Sequence, residues 1–177
     1  YMAAKEAGRL SAFVPASGAA ARMFQDLIFL RDYPEPLSME TLREQDWEDS
    51  RYAKVLSVLE AIEELAVGAR CLQRLVDTDW RRDIRIVIRT LFDVMKVHRL
   101  PKGLLPFHLY EDGDRTAFTE HLVEVSSLVA SSGGVCRLHL SIPSSAADQF
   151  AQVFSESQEK LSALRAFDWE VEFSIQD

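Results

Sequence analysis

The sequence predicts an α/β fold in which a mostly parallel, Rossmann-like sheet carries helices on both faces. Strand-like runs alternate with helices of crossover length in the C-terminal half, which is typical of parallel strands. Near the N-terminus, a short apolar run leads through a glycine turn into a helix. The 177 residues, 47% of them hydrophobic, are enough for one substantial core. We therefore expect a single α/β domain, or the N-terminal part of one, with a helical insertion at about 39–98.

The first predicted unit is a strand followed by a helix. The run Arg9–Ala16 is apolar at its centre and breaks at Pro15 and Gly18, as a short buried strand entering a turn does. The segment Ala19–Leu30 contains tolerable helix formers throughout. Its apolar residues recur at spacings of four and three, which predicts one helix that opens on Gly18; these residues are Met23, Leu27 and Leu30.

The middle of the chain is predicted to be helical. Pro34 and Pro36 end the first helix, because proline lacks an amide donor and disfavours helical geometry in the residue before it. Two later segments have helical periodicity. Their apolar positions are Tyr52, Val55, Leu59, Ile62 and Ala66, and then Trp80, Ile84, Val87, Leu91 and Val94. Connections in α/β folds are normally short, so this long section is interpreted as an inserted cap or subdomain.

The C-terminal half predicts the order β-α-β-α-β. Three strand-like runs are Leu104–Tyr110, Val135–Ile142 and Trp169–Ile175. Thr116 is placed to cap the first intervening helix, and Ser145 the second. Ligands of such sheets bind beyond the carboxyl ends of the strands, so we expect a site at that edge.

The composition indicates which classes of partner the protein is expected to bind and where it is expected to be located. The 28 acidic and 20 basic residues give a net charge of -8, which opposes binding to nucleic acid. No apolar run is long enough to cross a bilayer, and the first residues lack the core of a signal peptide. We expect a cytoplasmic protein with no membrane partner. Cys71 and Cys136 show no C-x-x-C spacing and are expected to be reduced core thiols.

The turn after the first strand is the leading candidate for an anion site. Its small side chains let backbone amides at a helix N-terminus approach a phosphate closely. Arg22, about one turn into the helix, offers a planar fork of donors that suits phosphate. The alternative is an ordinary tight turn, with Arg22 a solvated charge. The candidate phosphate-binding residues are Ala16, Ser17, Gly18, Ala19, Ala20, Ala21 and Arg22.

A second candidate is Lys102, in the segment 101–107. Flanking prolines and Gly103 hold this segment extended and would present the ammonium group at the edge of the sheet. The alternative is an ordinary surface lysine. Other polar residues favour structural interpretations. His108 follows an apolar strand, and the pair Glu120 and His121 lacks the second histidine of a zinc helix.

The two candidate segments together resemble motifs of the sugar-nucleotide pyrophosphorylases. These enzymes carry G-x-G-T-R-[LM] and a later P-K-x-L-x-P, and the matching residues here are Gly18–Met23 and Pro101–Pro106. Ala20 and Ala21 stand where the motif has glycine and threonine. The amino-acid sequences of three segments resemble the bacterial DUF4301 family more closely still. Members of that family are longer than this chain. The segments are 13–20, 100–108 and 116–122.

The resemblance implies a GT-A-like nucleotidyltransferase fold and a transfer reaction. A nucleotidyl group would pass from an NTP to a sugar 1-phosphate, releasing pyrophosphate. Backbone amides from Ser17 to Ala21 would hold the phosphates, while Arg22 and Lys102 would act catalytically by neutralising developing charge. Mg²⁺ is implied as cofactor, and Asp177 lies near the expected position of a metal-binding aspartate. The start at Tyr1 leads us to expect a longer protein.

Two alternatives from other classes stay open at this point. The first is a non-catalytic module that binds a nucleotide-sugar or a phosphate but lacks turnover. The second is a structural or interaction domain, in which the loop is only a turn and no phosphate binds. The metal ligands, the base, the sugar and the oligomeric state are not specified by the sequence.

Overall fold

A computed structural model of the protein describes residues 1–45 and 48–176. The strands are β1 (Ala12–Pro15), β2 (Pro106–Tyr110), β3 (Gly113–Thr116), β4 (Val135–Ile142) and β5 (Asp168–Ile175). The α-helices are α1 (Met2–Glu6), α2 (Gln25–Arg31), α3 (Met39–Glu44), α4 (Arg51–Glu60), α5 (Ala66–Leu72), α6 (Arg85–Arg89), α7 (Ala117–Val129), α8 (Ala147–Lys160) and α9 (Ser162–Arg165).

The described residues divide into two compact units. The first, called here the sheet unit, contains Tyr1–Gly18, Pro101–Leu105 and the chain from Arg115 onwards. The second, the helical unit, contains Ala19–Leu100 and Pro106–Asp114. Each unit is described by itself below.

Within the described residues, the sheet unit contains a parallel three-stranded sheet in the order β1-β4-β5. Its register pairs Val14 with Leu140, and Leu140 with Phe173. Alternate residues of β4 are buried on one face, where α7 and α8 pack. The residues after α1 contact the other face, because the Arg137 guanidinium donates to the carbonyl oxygen of Gly8. The predicted α/β class, with a parallel sheet and helices on both sides, is confirmed.

The core of the sheet unit is apolar and closely packed. The rings of Phe118 in α7 and Phe150 in α8 meet edge to face, with their centroids 5.2 Å apart, and both side chains are fully buried. The β4 residues that pack on this core are Cys136, Leu138, Leu140 and Ile142. The sequence predicted a strand at Val135–Ile142 and a core position for Cys136, and the structure adds that Phe150 of α8 packs on this strand face.

One predicted strand lies in a different sheet. Leu104 belongs to a 3-10 turn, and β2 pairs with β3 instead of joining the parallel strands. The prediction that this run opens the parallel β-α-β-α-β series is wrong. The physical reason is the Asp112-Gly113 pair, a strong hairpin signal, with Gly113 at a φ of +127°. A short turn pairs the two runs locally before β2 can reach a distant partner.

The helical unit is more broken than its periodicity predicts. The segment after Gly18 is a 3-10 turn, Ala20–Phe24, followed by α2. The first long predicted helix is split between α4 and α5. The second is split into a 3-10 turn at Trp80–Arg82, α6, and a π-helical turn at Thr90–Val94. Strict 3.6-residue periodicity therefore marked most of the buried face correctly, although Val94 and Met23 are exposed, and it marked the element boundaries incorrectly.

Two local interactions explain these breaks. A Cβ atom added to Gly68 would lie 2.0 Å from the carbonyl oxygen of Ile62, so the turn before α5 packs directly on the glycine backbone. The Asp83 carboxylate accepts hydrogen bonds from the Arg85 backbone amide at 3.2 Å and from its guanidinium at 2.8 Å. These bonds stabilise a non-helical Asp83 ahead of α6. In the described part of the chain, no helix is long and apolar enough to cross a membrane.

Candidate functional site

The carboxyl end of β1 carries the first candidate segment. The Ala16 backbone amide donates to the carbonyl oxygen of Ser141 at 2.9 Å, which extends the pairing of β1 with β4 by one residue. Ser17 and Gly18 therefore leave the sheet at the edge where parallel α/β sheets bind ligands. The Ser17 hydroxyl donates to the Gln176 side-chain oxygen at 2.9 Å. Gln176 belongs to none of the motifs described above. Its position directly after a parallel strand is the one sequence feature that could have identified it as a residue of the candidate site.

The second candidate segment lies against the first. The Lys102 backbone amide donates to the carbonyl oxygen of Gly18 at 2.9 Å. An added Cβ at Gly103 would lie 3.0 Å from the Phe150 ring and 3.4 Å from the Ala16 Cβ, so this close approach favours glycine. Both contacts lie inside the sheet unit. The structure thus brings together two motifs that are separated in sequence by most of the helical unit.

Gly18 itself is not required by the fold. Its φ angle lies outside the left-handed region, and a Cβ atom placed on it would meet nothing within 4 Å among the described residues. A glycine in open space allows a ligand to approach the backbone closely. By contrast, Gly103 is packed against Phe150 and Ala16.

The backbone amides of the turn are not equally available to a ligand. Those of Ala16 and Ala20 already donate, to Ser141 and Leu100 respectively, with the second bond 3.0 Å long. Among the described residues, the amides of Ser17 and Gly18 have no hydrogen-bond acceptor. An anion at this edge of the sheet unit would therefore use those two amides, together with the exposed Lys102 side chain.

Ala19, Ala20, Ala21 and Arg22 belong to the helical unit. Ala20 is fully buried, whereas Arg22 is exposed and has no ion-pair partner in the described part of the chain. The predicted α-helix N-terminus is not formed here, because a five-residue 3-10 turn precedes α2. The prediction of an α-helix N-terminus that faces a phosphate is consequently wrong for this turn, and Arg22 remains a candidate because of its charge and its motif position.

The other polar candidates occupy structural positions. His108 lies in β2 with its ring between those of Phe107 and Tyr110, at centroid distances of 5.1 and 6.3 Å. His121 Nδ1 lies 3.4 Å from a carboxylate oxygen of Glu124 on the same helix. No group of three acidic, histidine or cysteine side chains in the described residues is placed to hold a metal ion. Asp177 lies outside the described residues.

The arginines of the middle section pair locally, as their interleaving with aspartates predicts. Arg82 pairs with Asp79, and Arg85 pairs with Asp83, each at 2.8 Å. The second pair is the more buried one, and the hydrogen bond from the Arg85 guanidinium lowers the pKa of Asp83. These paired residues stabilise the fold around α6. The candidate ligand-binding residues are therefore still Lys102 and Arg22.

Both cysteines are buried free thiols. Burial raises the pKa of Cys71 to about 11 and that of Cys136 to about 11 as well. A thiol with so high a pKa is protonated at neutral pH and is a poor nucleophile. The prediction that both are reduced core residues is confirmed.

Comparison with known proteins places the whole chain in one family. The family model described as a domain of unknown function, DUF4301, matches residues 1–177. No curated protein and no solved structure gives a significant match.

Proposed function

The chain belongs to the DUF4301 family, and we propose that it is a nucleotidyltransferase-like domain of GT-A-like fold acting in the cytoplasm. In the proposed reaction, an oxygen of a sugar 1-phosphate attacks the α-phosphorus of an NTP. The bond from that phosphorus to the bridging oxygen breaks, and the electron pair leaves with pyrophosphate. The ligands are a nucleotide and a sugar phosphate, and the resemblance of two motifs to the sugar-nucleotide pyrophosphorylases supports this choice.

The hydrogen bond from the Lys102 amide to the Gly18 carbonyl is the observation that carries the proposal. It holds the Pro-Lys segment against the small-residue turn at the carboxyl edge of the sheet. The turn offers the amides of Ser17 and Gly18, and Lys102 offers an exposed positive charge. Backbone amides and an ammonium group on adjacent segments favour phosphate oxygens over neutral ligands.

The proposed roles follow from charge. Negative charge grows on the bridging oxygen and on the leaving pyrophosphate as the bond breaks, and the Lys102 ammonium would stabilise it. The Ser17 and Gly18 amides would fix the phosphates. Arg22 enters the proposal through its motif position, and it would neutralise phosphate charge in the same way.

Mg²⁺ is part of the proposal through the resemblance. Magnesium is usually bound by one or two carboxylates, waters and the substrate phosphates. The described residues contain no group of three acidic, histidine or cysteine side chains placed for a metal. A protein-built metal cage therefore does not fit this part of the chain, and no step is assigned to the ion.

A second candidate is a nucleotide-binding module without turnover. Two features favour it. The Ala20 amide is engaged by the Leu100 carbonyl, and Ala21 has no hydroxyl where the resembling motif has threonine. Such a module would bind the same phosphates through the same amides and Lys102, but it would release no pyrophosphate.

Calorimetry of each NTP with Mg²⁺, titrated into the chain, tests the binding step. We expect saturable binding that Lys102→Ala weakens about tenfold or more, since a charge-assisted hydrogen bond is lost. Lys160→Ala is the matched control, because Lys160 is an exposed lysine of the sheet unit that pairs with Glu156 instead. An absence of heat with every NTP would contradict the proposal.

A pyrophosphate-release assay with NTP and sugar 1-phosphate separates the two candidates. Release that Lys102→Ala abolishes would support the transferase. Binding without release would favour the non-catalytic module.

A further inference from the structure

We propose that the helical unit carries a phosphate-binding surface of its own, formed by two packed turns and the residue before the second. The turns are Ala20–Phe24 and Val97–Arg99, and together with Lys96 they are called here the basic turn pair. The exposed cations on it are Arg22, Lys96 and Arg99. The ligand is a polyphosphate, such as pyrophosphate or the phosphate chain of a nucleotide, and this identity rests on the proposed function.

The two turns are held together by backbone and aromatic contacts. The Ala20 amide donates to the carbonyl oxygen of Leu100 at 3.0 Å, which ties the start of the first turn to the end of the second. Beneath them, the Phe92 ring lies 5.7 Å from Phe24 and 5.5 Å from His98, edge to face in both cases. Phe24 and Phe92 are buried. This support gives the basic turn pair a defined position for charged side chains.

The positive charge on the basic turn pair is uncompensated. In residues 1–45 and 48–176, Arg22, Lys96 and Arg99 have no carboxylate within ion-pair distance. The aspartates nearest to them in sequence are already paired. Asp26 lies 3.6 Å from the Lys54 ammonium, and Asp93 lies 2.5 Å from the Arg31 guanidinium. Unpaired cations carried on two packed turns, in a protein of net charge -8, produce a local field that attracts anions.

Lys96 also has an unusual backbone. It adopts φ 53° and ψ 32°, and it is the only residue other than glycine with a positive φ in the described part of the chain. It directs the chain from the π-helical turn, Thr90–Val94, towards Val97–Arg99. Glycine or asparagine would adopt this conformation at lower cost. A residue other than glycine in the left-handed region stores backbone strain, and such strain is common at functional sites.

The surface suits a polyphosphate better than a single carboxylate. Two guanidinium groups offer planar forks that match phosphate oxygens, and a chain of phosphates can contact several cations at once. Nucleic acid is disfavoured by the overall negative charge.

Calorimetry of inorganic pyrophosphate and tripolyphosphate on the full chain tests this inference. Arg99→Ala is expected to weaken both affinities about tenfold. Lys96→Gly is expected to weaken them to a similar extent while raising the Tm by about 2 °C, because glycine relieves the left-handed strain. Lys96→Arg should keep the affinity. Arg74→Ala is the matched control, since Arg74 is an exposed arginine of the same unit without an ion pair among the described residues.

The outcomes separate this inference from the function proposed above. If Lys96→Gly and Arg99→Ala leave both affinities unchanged while Lys102→Ala weakens nucleotide binding, the basic turn pair is not a phosphate site and the proposed function stands. If Arg74→Ala weakens binding as much as Arg99→Ala, general surface charge explains the effect and the inference is wrong. If the unmodified chain binds neither polyphosphates nor any NTP, both proposals are wrong.

Discussion

The strands of the sheet unit were predicted more accurately than the helices of the helical unit. The difference shows which sequence patterns determine the structure of each unit. In the sheet unit, β1, β4 and β5 appear where the strand-like runs of the sequence predict them. In the helical unit, apolar stripes mark most of the buried residues, whereas the hydrogen bonds of Asp83 and the close backbone contact at Gly68 determine two of the element boundaries. Burial is thus set by many residues, and helix boundaries are set by a few.

The largest expected effect tests the core of the sheet unit. Leu140 is fully buried at the centre of β4, and Phe173 is its partner at the sheet edge, where it is 36% exposed. Leu140→Ala should lower the free energy of unfolding by about 3–4 kcal/mol, because it leaves a cavity in the core. Phe173→Ala, the paired comparison, should cost less than half as much. Urea unfolding measures both, and equal costs would contradict the asymmetry between centre and edge.

The next effect tests the broken helix of the helical unit. Gly68→Ala places a Cβ 2.0 Å from the Ile62 carbonyl oxygen, and backbone cannot move aside cheaply. We expect a loss of about 2–3 kcal/mol in the free energy of unfolding, against the gain that alanine normally brings within a helix. Gly133→Ala is the control, since an added Cβ there meets only the Ser131 side chain at 3.7 Å. A stabilised Gly68→Ala protein would show that the turn before α5 is not packed as described.

A smaller, pH-dependent effect tests the Asp83 interaction. The guanidinium of Arg85 lowers the pKa of Asp83, so the carboxylate contributes stability above its unfolded pKa of about 3.9. That contribution is lost as the pH falls through the lowered folded pKa. Asp83→Asn should cost about 1–2 kcal/mol at pH 7, and the difference from the unmodified protein should vanish near pH 2.

The control for this titration is the more exposed pair of Asp79 and Arg82. Asp79→Asn should change the free energy of unfolding by less than about 0.5 kcal/mol at pH 7. If Asp83→Asn lowers the free energy of unfolding equally at every pH, then packing, and not charge, explains the stabilising effect of Asp83.

Particular residues show how far the sequence could predict the fold and the candidate site. The strand-like run at Val135–Ile142 correctly predicted β4, and Thr116 was correctly predicted to cap α7. The prediction that Ser145 caps the next helix is wrong, because the N-cap residue of α8 is Ala146. The Asp112-Gly113 pair is a sequence signal for a hairpin, but the apolar run before it suggested a parallel strand. The left-handed Lys96 has no sequence signal, since lysine does not predict that conformation.

The candidate site was predicted as two separate motifs. The resemblance implied that Gly18 and Lys102 act on one ligand, whereas their backbone hydrogen bond required the fold, because the segments between them belong mostly to the other unit. The availability of individual amides could not be predicted either. It depends on which carbonyl groups, such as those of Ser141 and Leu100, fall within reach.

The most direct test of the phosphate site is a comparison of Gly18→Ala with the unmodified chain, measuring NTP affinity by calorimetry and stability by urea unfolding. The open space around Gly18 predicts an unchanged free energy of unfolding, within about 0.5 kcal/mol, and an NTP affinity weakened about tenfold by the added methyl group. Unchanged affinity in a stably folded Gly18→Ala protein would contradict the claim that the Gly18 backbone contacts phosphate.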